Sequence, residues 1–88
     1  MEKGSSVVCV NDKFPPYAGS KGEKLPIKDR LYTIRELTIM PEKGLAVRLE
    51  EIVNTPETYK LSNGGTIYFE CAFDITRFIE IQSDIDID

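Results

Sequence analysis

The chain has 88 residues, 41% of them hydrophobic and 30% charged, with a formal charge of −4. That is room for one small globular domain, and it excludes collagen-like, disordered and disulfide-scaffold chains. With no histidine, the chain lacks the commonest metal ligand, the usual general base and both the Ser-His and Cys-His nucleophile pairs.

Charge is unevenly placed. Residues 1–35 carry seven basic and four acidic groups, whereas residues 36–88 carry four basic and eleven acidic ones. Three of those acids, Asp84, Asp86 and Asp88, fall in the last five positions. Nonspecific duplex binding wants a net basic face, and the domain as a whole does not supply one. Cys9 and Cys71 stand far apart with no second cysteine near either. Zinc sites draw on close-spaced ligand pairs, so the expectation is two buried reduced thiols, with no metal and no cofactor. No window reaches the length of an apolar membrane span, and residues 1–6 lack the apolar stretch of a signal peptide. A cytoplasmic protein without membrane association is expected.

In chain order, residues 6–10 are β-branched and short, a first strand ended by the turn pair Asn11-Asp12. Residues 31–39 form the longest β-rich run. Their apolar phase holds for Tyr32 and Ile34 and then slips to Leu37 and Ile39, which predicts a bulge. Pro41 and Gly44 mark a hairpin loop. Residues 45–50 alternate cleanly with Leu45, Val47 and Leu49 inward. Residues 66–73 do the same with Ile67, Phe69, Cys71 and Phe73 on one face. Residues 74–77 suit one 3₁₀ turn capped by Asp74, ahead of a short last strand at 78–81. No segment offers twelve residues of helical period. The fold class is all-β.

The expected core is Val8, Val10, Tyr32, Ile34, Leu37, Val47, Leu49, Ile67, Phe69, Phe73 and Phe78. Two long loops interrupt the strands, at residues 12–30 and 53–65. The first holds Phe14-Pro15-Pro16-Tyr17 and five basic side chains, Lys13, Lys21, Lys24, Lys28 and Arg30. The second ends in the turn signal Asn63-Gly64-Gly65. Loops of this length in a small domain often carry function.

Five short strands, a long first loop and a 3₁₀ turn before the last strand resemble a small SH3-like barrel. The opening Val8–Asp12, the run Leu31–Glu36, the string Leu49–Ile52 and the close Phe73–Phe78 are similar to a group of small uncharacterised proteins from bacteriophages and Bacteroidetes-type bacteria. The resemblance spans residues 7–81 and implies a fold and a phage or mobile-element origin, without a mechanism. The groove tryptophan of polyproline-binding SH3 domains is absent, so that recognition mode is not carried over.

Phe14, Tyr17, Lys21, Lys24 and Arg30 in the 12–30 loop are the candidate partner-binding residues. They define a non-enzymatic interaction module whose partner is an unidentified protein. The alternative is a small barrel that holds nucleic acid through the same basic and aromatic loop. The plainer reading is a loop whose aromatics pack back over the barrel, and exposure of the Phe14 and Tyr17 ring faces separates the two. Glu50 and Glu51 are adjacent strand residues and point to opposite faces, which argues against a catalytic carboxylate pair. Arg77 is either an anion contact or the partner of Asp74 or Glu80. One domain spans residues 1–82, followed by an acidic tail at 83–88. A monomer is expected, with a tail-mediated dimer as the alternative.

Overall fold

A computed structural model of the protein describes residues 1–19, 22–40 and 43–81. The described residues are all-β, with seven strands among them: β1 (Ser6–Cys9), β2 (Leu31–Met40), β3 (Gly44–Leu49), β4 (Glu57–Lys60), β5 (Thr66–Phe69), β6 (Phe73–Asp74) and β7 (Phe78–Glu80). Five of them form an antiparallel sheet in the order β6-β3-β2-β1-β7, and β4 pairs with β5 in a separate two-stranded sheet. The outermost strands β6 and β7 do not pair, so the barrel is not closed.

The long strand β2 serves both halves of the sheet. Its start pairs with β1, through Val7 opposite Tyr32, and its remainder pairs with β3. The register shifts between Ile34 and Glu36, where the slip in apolar phase predicts a bulge. The extra residue, Arg35, bends the strand and keeps Leu37 facing the same way as its partner Val47. The far end of this hairpin overhangs the core, and Ile39 and Leu45 stay exposed on it. Leu37, expected in the core, is exposed for the same reason.

The core cluster comprises Val7, Cys9, Tyr32, Ile34, Val47, Leu49, Ile52, Phe73 and Phe78. Strand β1 faces opposite to expectation, with Val7 and Cys9 fully buried and Val8 and Val10 half-buried. Both phases of this strand are apolar, so alternation alone gives it no direction. Pairing does, because directly opposite residues share a face and Val7 lies across from the inward Tyr32. Tyr32 and Phe78 meet edge to face at 6.5 Å between ring centroids, closing one end of the core.

The expected strand over 66–73 is two strands with a break. Phe73 pairs with Val47 of β3, whereas β5 turns away to pair with β4, a strand inside what the sequence reads as a loop. Ile67 and Phe69 are therefore half-buried rather than central. Phe69 packs against Tyr59 at 5.0 Å and lies under the Arg48 guanidinium. The expected 3₁₀ turn occurs at Ile75–Arg77, with Asp74 Oδ1 accepting from Thr76 N at 2.9 Å as its cap. That pairing also holds the Asp74 carboxyl below its ordinary value. The acidic tail at 83–88 lies outside the described residues, and so does the question of a dimer formed through it.

Candidate functional site

The described residues of the 12–30 loop form no helix or strand, yet the body of the domain grips the loop at several points. Pro26 is fully buried. Tyr32 Oη accepts from Ile27 N at 2.9 Å, and Asp12 Oδ2 accepts from Lys28 N at 3.0 Å. Cys9 bonds the loop's end twice, its N donating to Arg30 O and its O accepting from Asp29 N. Asp29 adopts φ 72°, a conformation that aspartate tolerates better than most residues.

Asn54 makes the firmest clip. Its side chain is buried, its Oδ1 accepts from Lys24 N at 2.8 Å and its Nδ2 donates to Lys24 O at 3.1 Å. One amide thus imitates a strand neighbour for the loop backbone. Asn54 is itself held, because its N donates to Glu70 Oε2 at 2.9 Å.

Glu70 is the hub of a polar clasp. Its carboxylate takes a two-pronged contact from Arg35, at 3.1 Å from Nη1 and 2.6 Å from Nη2. Arg35 also donates from Nε to Leu49 O at 3.1 Å. Arg48 reaches Glu70 O with Nε and Nη2, at 3.1 and 2.8 Å, and Glu36 Oε2 with Nη1 at 2.6 Å. Burial pushes the Glu70 carboxyl up, but the Arg35 and Asn54 hydrogen bonds and both guanidinium charges outweigh it, leaving it below its ordinary value. The same contact raises Arg35. Every group here points at another protein group, so the clasp serves to join β2, β3, the 50–56 segment and the 12–30 loop.

The sequence-derived candidates take up separate roles. Phe14 packs on the core, edge to face with Phe73 at 6.1 Å, and the Arg77 guanidinium sits 3.9 Å above its ring. Its half-buried ring supports the loop, with one face covered by Arg77. Tyr17 is 73% exposed. Lys24 and Arg30 have exposed side chains and backbones engaged by Asn54 and Cys9. Lys21 lies outside the described residues. Arg77 bonds Asn11 O at 3.1 Å and Lys13 O at 3.5 Å, bracing the loop's start instead of meeting Asp74 or Glu80. A shallow cleft opens beside Lys24, between the loop and Val53, Thr55 and Glu57.

Glu50 and Glu51 lie in a bend just past the end of β3, both exposed. Glu51 accepts from Thr33 N at 2.8 Å and from Thr33 Oγ1 at 2.9 Å, and these bonds overcome burial to lower its carboxyl. Cys9 is buried, and burial pushes the Cys71 thiol up, away from thiolate chemistry. Among the described residues, no group of three potential ligands is placed to hold a metal ion, and no helix is long and apolar enough to cross a membrane.

Sequence reasoning missed the Glu70 clasp. The available signal was Arg35, a charge standing at the point where the strand changes phase. No family model, curated protein or solved structure matches the chain.

Proposed function

We propose that the protein is an SH3-like barrel acting as a non-enzymatic interaction module, which takes a protein partner on the 12–30 loop around Tyr17, Lys24 and Arg30. The long loop after β1, the bulged strand shared between two sheet halves and the 3₁₀ turn before β7 support the architecture. In this reading the β4–β5 hairpin is an insertion between the third and fourth barrel strands.

The observation that carries the function is Tyr17. It is a large aromatic, 73% exposed, on a loop whose later half, residues 24–28, is pinned by Asn54, Tyr32, Asp12 and buried Pro26. Tyrosine supplies large contact area for few rotors, and a loop anchored at its later half leaves less chain to order on binding. Nucleic-acid binding is the weaker reading, because Phe14, the other aromatic of the loop, lies beneath Arg77 and packs on Phe73.

The test is selection of a displayed random-peptide library on the folded domain. Selected peptides should bind the parent, lose at least about tenfold in affinity with Tyr17→Ala, and be unaffected by Lys60→Ala at the far end of β4. Peptides indifferent to Tyr17→Ala would refute this surface. Salt-sensitive binding of single-stranded oligonucleotides would point to the nucleic-acid reading instead.

A further inference from the structure

We propose that Asn63 is a modification site, at which attack by its own neighbour's backbone converts the asparagine to aspartate and isoaspartate. Asn63 and Gly64 lie in the exposed turn between β4 and β5. Ring closure needs the Gly64 nitrogen to reach Asn63 Cγ, which a side chain at position 64 would obstruct. Gly64 has φ 90° and nothing within 4 Å of the place a Cβ would occupy, so the backbone has freedom to swing.

A second feature activates the electrophile. Gly65 N donates to Asn63 Oδ1 at 2.8 Å. Negative charge grows on that oxygen as Cγ becomes tetrahedral, and a fixed backbone donor at such a distance is how enzymes stabilise an oxyanion. The turn therefore supplies both the unhindered nucleophile and the oxyanion donor.

The step balances with water alone. Hydroxide takes the Gly64 N–H proton, the Gly64 N–Cγ bond forms, the Cγ–Nδ2 bond breaks, and the amide nitrogen takes up a proton and leaves as ammonia. Water then opens the cyclic imide. Opening at the side-chain carbonyl gives aspartate, and opening at the backbone carbonyl gives isoaspartate, whose main chain is one methylene longer. Nothing is oxidised or reduced.

One restraint opposes the reaction. Gly64 N donates to Leu61 O at 3.0 Å and must leave it before attacking. That is a single bond in an exposed turn, so the folded-state rate should lie within about tenfold of the unfolded chain's.

The other described asparagines act as internal controls. Asn11 Oδ1 also accepts from the nitrogen two residues on, Lys13 N at 2.9 Å, but Asp12 follows it in place of glycine. Asn54 is buried, with both ends of its amide held by Lys24. Conversion at Asn63 adds a negative charge to the hairpin tip, and the isoaspartate form also lengthens the turn that sets the β4–β5 register.

The experiment incubates the full chain in mildly alkaline buffer at physiological temperature and follows amide-to-acid conversion by peptide mass spectrometry, with enzymatic labelling of isoaspartate. Conversion should be confined to the Asn63 peptide, include isoaspartate and rise in proportion to hydroxide. Asn63→Gln should abolish it at that peptide, and Gly64→Ala should suppress it. A folded-state rate more than about a hundredfold below that of the same chain in urea exceeds what one turn bond can impose and overturns the proposal. Equal conversion at Asn11 overturns it as well.

Discussion

Replacing Glu70 with glutamine removes one charge at the centre of the clasp while keeping the size of the side chain. The carboxylate is 13% exposed and accepts two bonds from Arg35 and one from Asn54 N. Glutamine offers one oxygen, and its amide group must oppose either the guanidinium or the Asn54 N–H, donor against donor. Loss of a buried partner from an ion pair costs about 3–5 kcal/mol. Arg35 is 28% exposed and keeps its bond to Leu49 O, while Arg48 keeps its bonds to the Glu70 backbone. The expected cost is therefore lower, about 2–3 kcal/mol. In a domain of this size that lowers Tm by roughly 10–20 °C, readable by circular dichroism. Repeating the substitution in an Arg35→Met background should recover most of the loss. A cost below about 0.5 kcal/mol, typical of an exposed surface pair, would refute the clasp as a source of stability. An undiminished cost in the Arg35→Met background would show that Arg35 is not its partner.

Phe78→Ala should cost about 3–5 kcal/mol in urea unfolding, because its ring fills the core against Tyr32. Phe69→Ala should cost less than about 2 kcal/mol, its ring being only half-buried beside Tyr59; equal losses would contradict the core described above. Acid should unfold the protein through Glu70 and Glu51. Both are held below their ordinary values when folded, so the unfolded chain takes up protons first as pH falls. Their contribution is full above about pH 4.3, the ordinary glutamate value, and is lost as pH drops through the folded-state values. Urea midpoints measured against pH should fall over that range, and Glu70→Gln should flatten the slope; a parallel slope in the variant would remove Glu70 from the account.

The elements legible in the sequence are those whose signal is local. Val47 and Leu49 flank Arg48 and point inward in β3 as their alternation predicts, while Leu45 is exposed and Ala46 is buried. The phase slip after Ile34 marks the bulge, and Asp74 caps its turn through its own neighbour Thr76. What stayed illegible depends on distant partners. The direction of β1 is set by Tyr32, since Val7, Val8, Cys9 and Val10 suit either face. β4 escaped because Glu57-Thr58-Tyr59-Lys60 has one apolar residue and becomes a strand by pairing with β5. At the candidate site, Tyr17 and Phe14 read alike in sequence, and only the arrival of Arg77 and Phe73 from the far end of the chain separates them. The Asn54 clip was beyond reach for a further reason: it bonds backbone atoms, which carry no residue identity.

The pairing of β1 with β7 has a consequence for how the chain comes to be folded. Val7 meets Glu80 and Cys9 meets Phe78, so β1 waits for one of the last described segments before its second edge is covered. The β2–β3 hairpin is local and can form early, whereas this contact spans most of the chain and must be reached by a slower search. A nascent chain that has not yet exposed Phe78 outside the ribosome offers a bare β1 edge above an open apolar floor of Tyr32 and Ile34, the kind of surface that strands of other molecules join. Stalled or truncated products ending before residue 78 should accordingly be targets for chaperones and aggregation, while a chain that includes β7 closes that edge within itself.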